Sequence, residues 1–280
     1  MKILTPTSWT IPNAVFFSAR LIGADRESFA QRLLSRDIKK LPLDSPAICL
    51  LLAADAKVIS FFWIERQSDA LRLYGMKDEL TRLREKLELY RFTEDASWEE
   101  GAAVSATLVE TQQADENSSV GWTQLKFKFE IEMNPQTMSE GEWLQMRVQR
   151  MLPLRGWDFG DSQNIFELGL TNACDENKGC YIGQEVVERV RSRGGRPNRH
   201  LGEIQFESEI EAIEELRVET EKVGSLTKSV VRASSGYHAL SWIERRFCQI
   251  GTKVRAETSN QFGVIKNLLM GPKRPPSEKS

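Results

Sequence analysis

The segment that most constrains this chain is Lys178-Gly-Cys-Tyr-Ile-Gly-Gln-Glu185, which leads into a valine-rich stretch at 186–190. The valines recur at helical spacing, so the sequence predicts a turn bounded by glycines that runs into an amphipathic helix. Cys180 stands in this turn, near both the predicted helix N-terminus and Lys178, and such surroundings favour a reactive thiol. A small buried cysteine at a tight corner fits the same pattern, so both interpretations stay open.

The composition around this segment is that of an ordinary globular protein. The 280 residues are 40% hydrophobic and 28% charged, with a net charge of −2. This length suggests about two domains, and the composition excludes a wholly disordered chain. No apolar run approaches the ~18 residues of a membrane helix, so we expect no membrane segment. A nucleic-acid role would need a local basic patch, because the net charge is close to zero.

Cysteine and histidine are both sparse, with four cysteines and two histidines. Few cysteines, together with an N-terminus that lacks an apolar secretory segment, predict a cytoplasmic protein. His200 and His238 leave little material for a zinc site, so we expect no bound metal. Cys174 lies six residues before Cys180 and could form a redox pair with it, although an incidental cysteine fits the spacing as well.

Hydrophobic periodicity predicts the secondary structure in two parts. In the first part, Asp25 is expected to cap a helix that carries Phe29. The other elements of this part are a strand at 15–17, buried strands at 48–53 and 58–64, a helix at 78–90, a loop at 110–120, a strand at 122–133 and a helix at 139–151. After Leu201, short strands alternate with turns and predict a small β-barrel or sandwich. These strands are expected at 202–206, 217–218, 223–227, 239–243 and 253–256.

The segment 178–185, with Val187, Arg189 and Arg193-Gly194 after it, resembles the signature of the YgfZ family. These folate-binding proteins are similar in fold to the aminomethyltransferase (T-protein) of the glycine cleavage system. Further segments agree in chain order, namely Gly23-Ala24-Asp25, Glu142-Trp143-Leu144, Trp157-Asp158-Phe159, Phe166-Glu167-Leu168-Gly169-Leu170 and Val223-Gly224-Ser225-Leu226-Thr227. The resemblance covers most of residues 14–257 and is weakest over 66–138.

This resemblance implies an α+β, T-protein-like folate-binding fold with a C-terminal antiparallel β-barrel. The expected boundaries are a folate-binding domain at 1–197, the barrel at 198–272 and a disordered tail at 273–280. The implied cofactor is tetrahydrofolate or a derivative of it.

Four residues are candidates for folate binding under this resemblance. Phe16, where relatives carry tryptophan, and Trp143 would stack on the flat rings of the ligand, since stacking needs only a π face. Tyr181 could stack in the same way. Glu167 could accept a hydrogen bond from the pterin edge or cap a turn. A purely structural packing role is the alternative for Phe16 and Trp143.

A basic cluster follows the signature, at Arg189, Arg191, Arg193, Arg196 and Arg199. With Lys178, the first three of these arginines are candidate anion-binding residues, because guanidinium groups bind carboxylates and phosphates. The anion could be the glutamate tail of a folate, an RNA phosphate or an acidic protein face. A solvated helix face is the alternative. The glutamate-rich stretch at 203–221 opposes long-range attraction of RNA, so direct tRNA binding is disfavoured.

Two departures from the aminomethyltransferase pattern bear on activity. The strand at 58–64 lacks the carboxylates that those relatives carry, and Gln149 stands where many relatives have glutamate. The resemblance therefore implies an accessory factor rather than an aminomethyltransferase.

The implied factor supports the synthesis or repair of iron–sulfur enzymes, including tRNA-modifying ones, and Cys180 would be its reactive or recognition thiol. Its expected partners are folate and iron–sulfur enzymes or assembly proteins. A folate-dependent one-carbon transferase or demethylase is one alternative. A protein-interaction scaffold that has lost folate is another, favoured by Phe16, Arg36 and Gln149.

Overall fold

The computed structural model describes residues 8–12, 15–109, 121–130 and 137–269. The chain divides into two compact units. Unit 1 comprises residues 1–114, 125–139 and 172–189, and unit 2 comprises 115–124, 140–171 and 190–280. In the part of the chain that the structure describes, no helix is long and apolar enough to cross a membrane.

Unit 1 is built on a seven-stranded antiparallel sheet. Its strands are β1 (Ser8–Thr10), β2 (Phe16–Ile22), β3 (Ala47–Leu52), β4 (Val58–Arg66), β5 (Leu71–Gly75), β6 (Ser97–Val109) and β7 (Lys126–Glu130). Six of them run side by side in the order β1-β6-β2-β5-β4-β3, and β7 pairs with β6. Two helices belong to this unit, α1 (Arg26–Leu33) and α2 (Lys77–Tyr90).

Both faces of this sheet are buried, which explains the continuous apolar runs of β3 and β4. Successive side chains of a strand point to opposite faces. In β4, Phe62 and Ile64 therefore join the core formed with α1 and α2, whereas Phe61 and Trp63 lie on the opposite face, where their rings are in contact. Leu80, Leu83 and Leu87 of α2, spaced along one helix face, complete the first core, as the sequence predicts.

Asp25 stands at the N-terminus of α1, but its side chain does not cap the helix. Its carboxylate instead accepts a hydrogen bond from the backbone N–H of Asp95, 2.9 Å away. The Asp95 carboxylate accepts one in return from the backbone N–H of Ala24. Asp25 thus occupies the N-cap position, as predicted, but its side chain makes no capping hydrogen bond because the contact with Asp95 engages the carboxylate.

Unit 2 contains a closed six-stranded barrel with strand order β10-β11-β8-β13-β12-β9. The strands are β8 (Arg199–Phe206), β9 (Glu215–Val218), β10 (Glu221–Ala233), β11 (Gly236–Glu244), β12 (Lys253–Ala256) and β13 (Phe262–Leu268). The first five match the predicted strands, though β10 is longer. β13 is not among the predicted strands, and a register shift between Ile265 and Asn267 interrupts its alternation.

The barrel interior is an apolar core that includes Ile204, Phe206, Leu216 and Ile265. Two further helices are α3 (Glu140–Gln149), which packs on β10 and β11 within unit 2, and α4 (Gln184–Ser192). Both agree with the predicted helices. The predicted loop at 110–120, the end of the predicted strand at 131–133 and the tail at 273–280 lie outside the described residues.

Candidate functional site

The segment 178–185 forms a turn in unit 1 that leads into α4, as its glycines predict. Gly179 and Gly183 both have a positive φ, at 88° and 84°. Cys180 lies between them and is exposed to solvent, whereas Tyr181 is buried. The thiol of Cys180 is therefore available to a small molecule or to another protein.

Gly183 fixes this turn against the connection between β3 and β4. A Cβ atom on Gly183 would lie 2.5 Å from the carbonyl oxygen of Ala53, so the two backbones touch only because residue 183 has no side chain. The connection itself is tight, with Ala56 at a φ of 62° and hydrogen bonds between Ala53 and Lys57. A left-handed φ such as that of Ala56 is the conformation that glycine adopts most readily.

Lys178 is buried, and its ammonium group is bound to main-chain oxygens. It donates hydrogen bonds to the carbonyls of Gln31, 2.8 Å away, and Leu34. These carbonyls lie at the C-terminal end of α1, where a helix leaves such oxygens without intrahelical partners. The ammonium also lies 5.0 Å from the ring centre of Tyr181. Burial lowers the pKa of Lys178. An anion would have to displace these bonds to reach Lys178.

An ion pair and several backbone bonds tie the same turn to the residues after α1. Arg36 pairs with Asp175 at 2.6 Å, and the second oxygen of Asp175 accepts the backbone N–H of Asp37 at 2.8 Å. The amide of Gln31 donates to Asp37 and to the carbonyl of Lys178, at 3.1 and 2.9 Å. Arg36, cited above in favour of a scaffold that has lost folate, is thus part of the support for the turn.

The second face of the unit 1 sheet carries a cluster of aromatic rings. Phe16 is at its centre, only 1% exposed, with the rings of Trp63 and Phe129 at 5.5 and 5.6 Å. The cluster consists of Phe16, Phe61, Trp63, Tyr74, Phe127 and Phe129. In this conformation the neighbouring rings cover Phe16, so a ligand could stack on it only after one of them moves.

Glu65 is a buried carboxylate beside this aromatic cluster. Residues 58–64 of β4 contain no carboxylate, but the strand continues to Arg66 and so includes Glu65. Glu65 accepts a hydrogen bond of 2.7 Å from the hydroxyl of Tyr74, whose ring stacks on Phe129 at 4.4 Å. Burial is the main reason that the pKa of Tyr74 is raised, and the hydrogen bond to Glu65 raises it further. Glu65 lies just beyond the predicted strand, which ends two residues before β4 does.

In unit 2, Trp143 is buried on α3, and Arg147 lies one turn further along that helix. Arg147 forms a fully buried ion pair with Asp158 at 2.8 Å. Asp158 also accepts hydrogen bonds from the hydroxyls of Thr227 and Ser229 on β10. Every oxygen of this carboxylate is therefore engaged, which indicates a structural role in joining α3, the 152–159 segment and β10.

Glu167 is buried in unit 2 and caps a local turn. One of its carboxylate oxygens pairs with Arg199 at 2.6 Å, and the other accepts the backbone N–H of Asn164 at 3.1 Å. The guanidinium of Arg199 lies 5.0 Å from the ring centre of Trp242. These contacts match the turn-capping alternative for Glu167. A pterin could use Glu167 only in competition with Arg199.

The remaining predicted anion-binding residues lie on and after α4. Arg191 donates a hydrogen bond of 3.0 Å to the carbonyl of Thr171, and Arg189 and Arg193 are exposed. Lys178, Cys180, Tyr181 and Phe16 belong to unit 1, whereas Trp143, Glu167, Arg191 and Arg193 belong to unit 2. Within the described ranges, no group of three or more His, Cys, Asp or Glu side chains is placed to hold a metal ion.

The four thiols are expected to differ sharply in reactivity. Cys49 and Cys174 are buried, and burial raises the pKa of the half-buried Cys248 to about 11. At pH 8 a thiol with that pKa is ionised to only about one part in a thousand, and the thiolate is the reactive form. We therefore expect iodoacetamide at pH 8 to alkylate Cys180 first, as read by peptide mass spectrometry.

A denatured sample gives the control for this experiment, since all four cysteines should then react. Alkylation of Cys248 or Cys49 ahead of Cys180 in the folded protein would contradict the exposure described above.

Comparison with known proteins supports the fold more strongly than the function. No family model matches the chain. A chloroplastic protein of Arabidopsis thaliana with a provisional designation as a transferase is 28% identical over 144 residues, 51% of this chain. That match spans only 33% of the relative's own length.

A solved structure gives the broader match. The glycine cleavage system aminomethyltransferase T from Bartonella henselae superposes with a TM-score of 0.73 at 14% identity, over 95% of this chain and 88% of that one. The predicted T-protein-like α+β fold with its antiparallel barrel is confirmed.

Proposed function

We propose that this chain binds a tetrahydrofolate-type ligand and acts as an accessory factor of the YgfZ type. In this role it supports the synthesis or repair of iron–sulfur enzymes, including tRNA-modifying ones, in the cytoplasm. The observation that carries the proposal is the turn at 178–185, which holds Cys180 in solvent while Lys178 and Asp175 anchor it to α1 and the residues after it. A segment fixed so firmly, with an exposed thiol at its tip, is suited to recognition.

The chain carries the types of side chain that bind a folate, namely aromatic rings and exposed cations. Each unit carries aromatic side chains of the kind that stack on pterin or benzoate rings, namely Phe16 with its cluster in unit 1 and Trp143 in unit 2. Arg189 and Arg193 are exposed cations that suit the carboxylates of the glutamate tail. Reduced folate would supply one-carbon chemistry when bound, and the protein would orient it and present Cys180.

Calorimetric titration with tetrahydrofolate tests this proposal. The wild type should release or absorb heat and gain thermal stability on binding. Trp143→Phe should weaken binding by about two- to tenfold, since a good aromatic contact is worth about 0.5–1.5 kcal/mol. This variant keeps a ring in the buried position, whereas Trp143→Ala adds the cost of a cavity.

Trp157→Ala is the matched control, because it removes a half-exposed indole from the same unit. It should leave the affinity unchanged. If the wild type shows neither heat nor a thermal shift, the scaffold alternative replaces folate binding. If Cys180→Ser leaves both folate binding and the restoration of iron–sulfur enzyme activity intact, the proposed thiol role is wrong.

A folate-dependent one-carbon transferase or demethylase is the second candidate, and Glu65 favours it. This buried carboxylate lies next to a ring cluster, where it could stabilise positive charge that develops on a folate nitrogen. The transferase designation of the Arabidopsis relative points in the same direction. Appearance of a one-carbon folate from tetrahydrofolate and a methylamine donor, lost in Glu65→Gln, would establish this activity.

A further inference from the structure

Three side chains at one end of the barrel form a continuous hydrogen-bonded chain. The hydroxyl of Ser235, in the turn between β10 and β11, lies 2.7 Å from Nε2 of His238 on β11. Nδ1 of the same imidazole lies 2.7 Å from Oε1 of Glu203 on β8. The order is hydroxyl, imidazole, carboxylate, with both distances in the range of good hydrogen bonds.

The carboxylate determines how the protons are arranged. An ionised Glu203 can only accept hydrogen bonds, so Nδ1 of His238 must carry the proton of that contact. In the neutral imidazole, Nε2 is then the lone-pair nitrogen, and it accepts the hydroxyl proton of Ser235. This is the arrangement in which an imidazole takes a proton from a serine as the serine attacks.

The surroundings hold the imidazole and the carboxylate in place while Ser235 remains an exposed residue. His238 and Glu203 are 6% and 3% exposed, whereas Ser235 is exposed. The second oxygen of Glu203 accepts a hydrogen bond from the amide of Asn267 on β13, so the carboxylate cannot rotate freely. The base and its partner are thus buried and fixed, whereas Ser235 is an exposed residue.

The turn itself is also fixed by the neighbouring strand. The carbonyl of Ser235 accepts a hydrogen bond from the amide of Gln205 on β8. A Cβ atom on Gly236 would lie 2.4 Å from the carbonyl oxygen of Phe206, so only glycine allows this close approach. The position of the Ser235 hydroxyl therefore follows from the barrel and not from a mobile loop.

We propose that Ser235 is a nucleophile toward activated carboxylic and phosphonic esters, with His238 as its general base and Glu203 as the positioning residue. Oγ of Ser235 bonds to the acyl carbon, and its proton passes to Nε2 of His238. The bond from the acyl carbon to the alcohol oxygen breaks, and the alcohol leaves with that proton. Water then attacks the Ser235 ester by the same route and releases the carboxylic acid. The proposal does not depend on folate binding.

A fluorescent fluorophosphonate tests the nucleophile directly on the full-length protein. The serine oxygen displaces fluoride from phosphorus and the product stays covalent. Trypsin releases residues 233–245, a peptide that contains Ser234, Ser235 and Ser241, and fragmentation locates the label. We expect it on Ser235. Ser235→Ala should abolish labelling, and His238→Gln should slow it about 100-fold or more, the usual contribution of a general base.

Ser234→Ala is the matched control, since Ser234 is the exposed neighbour in the same two-residue turn. It should label at the wild-type rate. If the folded wild type labels Ser235 no faster than Ser234, the proposal is overturned. Because Ser235→Ala alters only an exposed side chain, its result does not depend on whether the His238 variant folds.

The positioning role of Glu203 needs a measurement that a merely structural role would not affect. The chain has only two histidines, so the proton NMR signal of the His238 Nδ1–H can be assigned by comparison with His200→Gln. In Glu203→Gln this signal should move upfield and labelling should slow about tenfold or more, while circular dichroism stays native. An unchanged signal and an unchanged labelling rate would remove Glu203 from the proposal.

Discussion

Replacing Arg147 with methionine is expected to lower the free energy of unfolding by about 3–5 kcal/mol, because it leaves a buried carboxylate without its counter-ion. The Arg147 and Asp158 side chains are 2% and 0% exposed, so water cannot replace the lost guanidinium. Arg147 also donates a hydrogen bond of 2.6 Å to the hydroxyl of Ser229, which would be lost as well. Urea unfolding followed by circular dichroism measures the change.

An exposed ion pair of the same unit is the control for this experiment. Arg246 and Glu221 lie 3.3 Å apart, with side chains 58% and 56% exposed. Arg246→Met should cost no more than about 1 kcal/mol, as is typical of surface pairs. Adding Asp158→Asn to Arg147→Met should restore part of the stability, since it removes the buried charge. A loss below 1 kcal/mol for Arg147→Met alone would contradict the structural role assigned to this pair.

Gly183→Ala is expected to be the most damaging small change in the 178–185 turn. A left-handed φ costs an L-residue about 1–2 kcal/mol. The added methyl would also lie 2.5 Å from the carbonyl oxygen of Ala53, and the backbone must move to relieve that contact. Such overpacking typically adds about 1–3 kcal/mol. Thermal unfolding measures the total, and alkylation of Cys180 reports whether the turn has moved.

Gly179→Ala separates the two contributions. Gly179 has nearly the same φ, 88° against 84°, but a Cβ atom there would meet no atom within 4 Å. It should therefore cost only the backbone part, about 1–2 kcal/mol. Equal losses for the two variants would show that Gly183 is not in tight contact with the β3–β4 connection.

Elements with a strong local pattern could be predicted from the sequence. The apolar runs that form β3 and β4 and the spaced leucines of α2 give unambiguous periods, and the structure confirms all three. The glycines of 178–185 likewise predict the turn before α4. β5 and β6 are not among the predicted strands, although both lie inside the sheet of unit 1.

Contacts between distant segments could not be predicted in the same way. Lys178 binds the carbonyl of Gln31, 147 positions away along the chain, and nothing in the local sequence of either residue indicates this partner. Ser235 and His238 are only three positions apart, but Glu203 lies on another strand, and the register of β8 and β11 brings it to them. The candidate folate residues and the domain boundaries stay predictions.

Barrel closure also affects how the protein behaves at high concentration. Each of the six strands of unit 2 has a partner on both sides, so the barrel offers no template on which a second chain could add a strand. The sheet of unit 1, in contrast, is open, and β3 is an edge strand of it. There Ser35 covers part of the edge, because its backbone N–H donates to the carbonyl of Leu50 and its hydroxyl accepts the N–H of the same residue. Leu34 and Arg36 cover more of that margin, since Leu34 bridges to Leu51 and the Arg36 side chain donates to the carbonyl of Ile48.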